Sequence, residues 1–467
     1  MAFACIAVAA MIDECHGFSS PTGGSSVDVK VAAKNKPNEI SAEHPLRVLI
    51  AGGGVGGLVL ANSLAKIETM NVTVLERTES FKRFGGPIQL ASNALQVLKV
   101  MDGVAFERIM DKFTLTGDKI NGIKDGIRTE WYTKFDLKDP AEKRGLPYTG
   151  VIDRPDLQEI YLESLPDEMM CNGDAVVGYE KNVNGHGVKV QMKSGNVVEG
   201  DVLIGADGIW SAVRACMRNE PAKGEGSGVT YSGYTVFAGE LSYDSFDNGR
   251  VGYKVYIGPN RYFVVTDIGK GCYQWYAFLA RPVNSADKTP MPNGTSKFLQ
   301  DQFIGWSEEI HHILKATQDD EIEQRDLYDR PPSVFQPWTD GNVALIGDAI
   351  HAMAPNLGQG GCQAIEDAYV LWQELGIIKE RDEIETSLSR YHRRRLVRSA
   401  TVQGLSRFAS DIIIQGFDTP AKIIRTEDGG IEFQNFNYAG IVTKLLQPML
   451  PFFFWVQFTY LYSGWEN

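Results

Sequence analysis

Three short stretches combine residue types and spacings that suit the binding of a phosphorylated dinucleotide. The first is Gly52-Gly53-Gly54-Val55-Gly56-Gly57, a G-x-G-x-x-G pattern between the apolar run Val48-Leu49-Ile50 and the amphipathic stretch Leu58–Ala65. In that setting Gly52 permits a tight turn, Gly54 lets a pyrophosphate approach the backbone, and Gly57 lets the next helix pack close to the strand. Free N–H groups and the positive end of the helix dipole then face the phosphates. Glu76, with Arg77 beside it, ends a second apolar run, Val72–Leu75, and is placed to accept hydrogen bonds from a ribose diol. An acid there opposes a 2′-phosphate, so the site suits FAD or NAD and disfavours NADP.

The second stretch is Gly205-Ala206-Asp207-Gly208-Ile209-Trp210-Ser211, after the apolar run Asp201–Ile204. Its turn brings Asp207 to the mouth of a sheet; the plainer reading makes Asp207 a helix cap. The third runs Leu345-Ile346-Gly347-Asp348-Ala349-Ile350-His351, then Pro355 and Gly358-Gln359-Gly360-Gly361. Asp348 is a short acceptor suited to a ribityl hydroxyl. Pro355 bends the chain, and Gly358, Gln359 and Gly360 open a helix whose N-terminus favours negative charge on a reduced isoalloxazine. His351 is either a base or a structural residue. Oxygen transfer from a flavin needs no side-chain base on the substrate, which favours the structural role.

The elements that must position these turns follow from periodicity. Residues 46–76 read as a βαβ unit. Residues 113–150 and 229–280 alternate aromatic and polar side chains, as in Arg250–Ile257, Tyr262–Thr266 and Gln274–Phe278, with Gly258-Pro259-Asn260 and Gly269 as turn formers. That is strand and hairpin patterning. Helical periodicity returns over Lys297–Leu314, Gln363–Leu375 and Ile384–Ala409.

A chain of 467 residues suits two packed domains. Its net charge of -13 excludes non-specific nucleic-acid binding. The basic run Arg390–Arg398 follows an acidic stretch and reads as a solvated face or an internal ion-pair partner. Six cysteines form neither a metal pattern nor a disulfide framework. Residues 1–44 open with a short apolar run, Phe3–Met11, and then turn small and polar. They read as a plastid presequence or as a disordered N-terminus. The strongly apolar end, Gly440–Trp465, is interrupted by Pro448 and Pro451, so it reads as a segment lying along a membrane surface or as a helix packed on the core.

With its three motifs in this order, the chain resembles the flavoprotein monooxygenases related to para-hydroxybenzoate hydroxylase. More finely it resembles the zeaxanthin epoxidases, in an algal plastid form. The residues that carry this are Gly86-Pro87-Ile88-Gln89-Leu90, Thr116-Gly117-Asp118, Arg144-Gly145-Leu146-Pro147, Tyr231-Ser232-Gly233-Tyr234-Thr235, Gln274-Trp275-Tyr276-Ala277-Phe278, Asp326–Arg330 and Gly347–Asp367. The likeness covers about residues 46–410. Two departures stand out: plant members carry an arginine where this chain has Gly85, with Arg83 nearby, and they end in a forkhead-associated domain where this chain ends in its aromatic tail.

The resemblance implies an α/β fold, with an FAD-binding Rossmann-like domain and an inserted, mostly antiparallel substrate domain. The FAD domain would comprise 45–112, 151–228 and 322–412. The substrate domain would comprise 113–150 and 229–321, and 413–467 would be the apolar C-terminal segment. Arg154 would lie near the flavin, and Tyr234, Phe237, Trp275 and Phe278 would line the substrate or else pack the core. The implied chemistry is oxygen transfer through a flavin hydroperoxide to the ring double bond of a xanthophyll such as zeaxanthin, as in carotenoid biosynthesis and the xanthophyll cycle. O2 is the co-substrate, and NADPH or reduced ferredoxin is the electron source. A ferredoxin or reductase partner, peripheral association with the thylakoid membrane, and no nucleic acid or metal complete the expectation. The alternatives are an aromatic-compound hydroxylase of the same fold and a non-catalytic carotenoid-binding paralogue.

Overall fold

Leu46–Ala51 is buried at every position but Arg47, as a strand covered on both faces must be. It pairs in parallel with Met70–Glu76 on one side and Val202–Gly205 on the other. In this computed structural model, which describes residues 38–81, 86–182, 187–258, 260–286, 291, 293–332, 334–415, 422–425, 431–434 and 449–465, these strands form the middle of a six-stranded sheet. Val343–Leu345 pairs in parallel with Val202–Gly205, and Met170–Asn172 pairs in parallel with Met70–Glu76. The helix Val55–Ala65 crosses over from the first strand to the second, so residues 46–76 form the expected βαβ unit. A second helix, Gly360–Gly376, packs on the first, with Gly56 lying against Ala364.

The aromatic, alternating segments build a seven-stranded sheet. Its order is Glu323–Asp329, Thr230–Ser242, Cys272–Ala280, Arg261–Gly269, Val251–Gly258, Ile120–Asp125 and Trp131–Phe135. Every neighbouring pair is antiparallel except Val251–Gly258 with Ile120–Asp125. One face packs against two helices, Thr295–Gln302 and Glu308–Ala316, where one helical run was expected over Lys297–Leu314. There Phe263 stacks on Trp275 with ring centroids 5.5 Å apart. The same face holds a buried charge cluster: the Lys254 ammonium lies 2.7 Å from Glu309, which also accepts from the hydroxyls of Tyr243 (2.6 Å) and Tyr256 (2.5 Å). The other face carries Ile123, Tyr234, Val236, Val255, Ile257, Tyr262, Val264 and Phe278.

The packed chain begins before its first strand. Ile40 is buried, its N–H donates to the Lys379 carbonyl (2.8 Å), and the Asn38 amide reaches Asp382 (2.7 Å). Residues 1–37, the greater part of the presequence expectation, lie outside the described residues, as does Arg83.

The apolar tail contains a helix, Leu450–Tyr462. Pro451 stands in its first turn, where a missing N–H costs nothing, so that proline starts the helix it was expected to break. Phe454, Phe458, Leu461 and Tyr462 face inward. Phe454 packs 5.0 Å from Phe135, and the Tyr462 and Thr149 hydroxyls are 2.9 Å apart. Met449, Phe452, Phe453 and Val456, spaced by three and four, form an exposed stripe beside Trp455. Among the described residues no helix is long and apolar enough to cross a membrane.

Candidate functional site

The parallel register brings the three turns to one edge. Ala51 lies beside Gly205 and Gly205 beside Leu345, so each strand ends at the same level and each turn starts there. Backbone hydrogen bonds fix the exits: Gly52 N–H to the Leu75 carbonyl (2.8 Å), Ala206 N–H to Ala51 (2.8 Å), and Ile346 N–H to Gly205 (3.0 Å). This is the carboxyl end of a parallel sheet, where such folds place their ligands.

Gly52 has φ +110°, and a Cβ there would collide with the Ala206 carbonyl; Gly57 likewise faces the Gly52 carbonyl too closely for any side chain. The protein itself therefore demands those two glycines. It makes no such demand at Gly54, where a Cβ would meet nothing within 4 Å. That open space lies before the helix Val55–Ala65, whose N-cap, Gly54, offers no side-chain acceptor to the first-turn N–H groups. A pyrophosphate fits both features. Glu76 closes the back of the loop. One carboxylate oxygen accepts from the Gly53 N–H (2.7 Å) and the other from the Thr78 N–H and hydroxyl (2.9 and 2.8 Å). Arg77 beside it is exposed.

Asp207 acts as a cap. Its Oδ2 accepts from the N–H groups of Ala212 (2.7 Å) and Val213 (3.2 Å), while Ser211 caps Arg214. Burial pushes its carboxyl above the ordinary value against those hydrogen bonds. Asp348 differs. Its side chain is exposed at the edge where the turns meet. Desolvation by the surrounding protein raises its carboxyl, opposed by the charges of His351, Arg154 and Arg330. Pro355 begins a short 3₁₀ turn, Gly358 takes φ +59°, and Gln359 N-caps the helix that begins at Gly360 without a side-chain cap bond. The Gln359 carbonyl oxygen accepts from the Asn93 amide (3.2 Å).

Arg154 begins the helix Arg154–Leu162, which is held to the glycine loop by Gln158 (3.3 Å to the Gly53 carbonyl) and to the helix Val55–Ala65 by Asn62 (2.9 Å to the Tyr161 carbonyl). The positive charge of Arg154 favours the charged form of Asp348 and the phenolate of Tyr276. The Tyr262 hydroxyl donates to Asn356 (3.0 Å), tying that sheet directly to the segment after Asp348.

Behind the third turn lies a buried ionic network. Asp367 accepts from the Gly347 N–H (2.9 Å), His351 Nε2 (2.6 Å) and Arg395 (2.7 Å). Burial opposes ionisation of Asp367, but His351 and Arg395 outweigh it and hold the carboxyl below its ordinary value. Glu366 binds Arg395, Arg398 and the Asn93 amide. Arg398 also donates to the Leu461 carbonyl of the tail helix (2.6 Å). The basic run is thus an internal ion-pair partner, and His351 is a positioning residue for the Gly347-Asp348 turn.

Of the four substrate-lining candidates, Tyr234 and Phe278 lie on the sheet face that meets the turns. Phe237 and Trp275 do not. They point to the helix-covered face, where the Trp275 indole N–H donates to Thr317 (3.0 Å). Successive strand side chains alternate faces, so residues three apart cannot share one. Tyr276, within the expected lining segment Tyr273–Phe278, and Tyr262, which sequence reasoning left unassigned, occupy the facing side. Arg330 was also missed; it is buried and donates to the carbonyls of Ser227 (2.6 Å) and Ile209 (2.8 Å), bracing the second turn. Its place in the run Asp326–Arg330 was visible, but nothing local to it signals those partners.

A strand-turn-helix dinucleotide cradle with an antiparallel sheet opposite defines a flavin-binding class, and the chain belongs to the family described as FAD binding domain, whose model matches residues 45–405. Within that class it is similar to the chloroplastic zeaxanthin epoxidase of Spinacia oleracea, 41% identical over 82% of this chain and 57% of that protein. It is also similar to that of Oryza sativa subsp. japonica, 43% identical over 78% and 55%. The chain spans little more than half the length of these curated relatives. Among solved structures it shares its fold with Klebsiella pneumoniae HpxO complexed with FAD and uric acid (TM-score 0.69, 23% identity, 79% of this chain and 88% of that one). A salicylate hydroxylase substrate complex is comparable (TM-score 0.67, 22%, 90% and 98%).

Proposed function

We propose that the chain is an FAD-dependent monooxygenase that epoxidises the ring double bond of a xanthophyll such as zeaxanthin, giving antheraxanthin and violaxanthin. The observation that carries this reading is the meeting of two surfaces: dinucleotide-type turns on one side, and on the other a sheet face of Tyr234, Val236, Tyr262, Val264 and Phe278 suited to a polyene.

FAD, bound and reduced, supplies the activation of O2 and the oxygen atom transferred. One atom of O2 enters the epoxide and the other leaves as water; NADPH would supply two electrons and one proton as hydride with one more proton from solvent, and reduced ferredoxin would supply two electrons with two protons from solvent. Gly52, Gly54 and Gly57 hold the pyrophosphate, and Glu76 the ribose. Asp348 holds the ribityl chain, while Gly358, Gln359 and Gly360 present helix N–H groups to the ring. Arg154 adds a cation at the same site, and Asp207 orders the second turn by capping it. No side chain removes a substrate proton, because an alkene has none to lose; the aromatic face orients the ring and excludes water.

The domain division given above and a plastid location follow from the same reading. So does peripheral attachment to thylakoid lipid through the exposed tail-helix stripe, which a surface-lying helix with Trp and Phe would use. The test is incubation of the FAD-loaded protein with zeaxanthin in lipid, reductant and O2, followed by chromatography. Epoxide is expected; its absence across a panel of xanthophylls overturns the reading. Hydroxylation of a phenolic acid in its place would point to the aromatic-compound hydroxylases.

A further inference from the structure

On the sheet face that meets the turns, Gln274 shares a strand with Tyr276 and holds a buried amide. Gln274 is 2% exposed. Its amide Nε2 donates to the carbonyls of Gly239 (3.0 Å) and Trp275 (3.2 Å), which fixes which end points where. Its Oε1 is buried and, among the described residues, accepts from no donor. A buried amide oxygen left without a donor costs stability, and a ligand donor is one way to recover that cost.

The neighbourhood shows what kind of ligand. Gln274 and Tyr276 are two residues apart on one strand, so both face the same way. Both approach the backbone at Gly86: a Cβ there would stand 2.8 Å from Gln274 Oε1 and 3.1 Å from the Tyr276 hydroxyl. Burial pushes the Tyr276 phenol up to about 12, against the charges of Arg325 and Arg154, so it stays a neutral donor at physiological pH. The charge of Arg154 acts on both Tyr276 and Asp348. Across the strands the row containing Tyr276 continues apolar, through Ala238 and Val264, and the next holds Val236, Phe278 and Tyr262. The face is therefore apolar with one polar corner.

We propose that Gln274 and Tyr276 form a recognition point for a hydroxyl group on the substrate ring. A hydroxyl both donates and accepts: its proton meets Gln274 Oε1 while its oxygen accepts from the Tyr276 phenol. A carbonyl would leave the glutamine oxygen unmatched, and a carboxylate would oppose it. This deepens the epoxidase reading and rests on it, since it makes the pair the device that separates hydroxylated from unhydroxylated carotenoids. A site built to bond a hydroxyl rejects an analogue lacking it, because its own buried polar groups are then unpaired.

The experiment is equilibrium binding, read by quenching of tryptophan fluorescence in mixed micelles. The FAD-loaded wild type is compared with Gln274→Leu, Tyr276→Phe and the double variant. The ligands are zeaxanthin and a carotene with the same polyene and ring double bonds but no hydroxyls. Each single variant is expected to bind zeaxanthin about 5–10-fold more weakly, the loss of roughly one hydrogen bond. Carotene binding should change less than twofold, and the double variant should show no preference. Tyr276→Phe removes a single oxygen and keeps the test open if Gln274→Leu melts early. An unchanged preference, an equal loss for both ligands, or a parallel fall in FAD affinity overturns the proposal, the last by assigning the pair to the cofactor. Wild type that binds neither carotenoid overturns the epoxidase reading itself, and this proposal with it.

Discussion

The two faces of the seven-stranded sheet are equally aromatic and almost equally buried, yet they are finished differently. On the helix-covered face the polar atoms close on one another: Trp275 bonds Thr317, and Lys254, Tyr243 and Tyr256 converge on Glu309. On the face that meets the turns, Gln274 Oε1 is left without a donor among the described residues, and Asp348 stands exposed at the end of the third turn. Burial alone therefore does not separate a core from a site; the state of the polar atoms does.

The comparison breaks most visibly where a closed polar cluster is opened. Lys254→Ala leaves Glu309 buried without its cation and should cost about 3–5 kcal/mol, read as a loss of denaturation midpoint. Trp275→Ala should cost a similar ~3–5 kcal/mol through cavity formation. Its zeaxanthin affinity, measured below the melting transition, should stay within twofold of wild type; a selective loss of substrate binding would erase the distinction between the faces.

On the open side the effects should fall on ligands. Asp348→Asn should weaken FAD binding by on the order of tenfold, the worth of a charged hydrogen bond, measured by flavin fluorescence. The same change should stabilise the cofactor-free chain. Because burial raises the folded-state pKa of Asp348 above its unfolded value, ionisation costs stability above that folded pKa and costs nothing below about pH 4. The melting difference between variant and wild type should therefore be present at neutral pH and vanish on acidification. Asp367 has the opposite sign. Its folded pKa is lowered, so its contribution is present above the ordinary carboxylate range and is lost as pH falls through the folded value.

The smallest effect on stability belongs to the tail. Phe452→Glu with Trp455→Glu should shift stability by less than about 0.5 kcal/mol, as for exposed positions. These residues are 56% and 45% exposed. Binding to vesicles of thylakoid-like composition should be lost, measured by co-sedimentation; unchanged binding would leave that stripe without a role at lipid.

The three turns were legible in the sequence because their glycines and carboxylates stand at fixed spacings after apolar runs. Gly52 is required by the Ala206 carbonyl and a left-handed φ, and such requirements leave fixed spacings behind. The hairpins around Gly258 and Gly269 were legible for the same reason. What the strands face was half legible. Tyr234 and Phe237 are three apart, as are Trp275 and Phe278, so alternation already forbade each pair from sharing a side. Which side meets the turns depends on crossovers far along the chain, and no local pattern carries that. Arg330 was missed because its partners are distant in sequence; the run holding Arg395 and the segment holding Gln274 were singled out, but not the partner each side chain would meet.

The strand Val202–Gly205 fills the centre of the parallel sheet between Leu46–Ala51 and Val343–Leu345. During synthesis, the glycine loop therefore emerges long before the strands that must flank it. At about 5–20 residues per second, the apolar edge of Leu46–Ala51 waits on the order of ten seconds for Val202–Gly205, and that strand's own free edge waits about as long again for Leu345. Such an edge invites pairing with other chains. Yield in a cell should accordingly depend on how well chaperones shield a half-built sheet, and truncations ahead of Leu345 should aggregate.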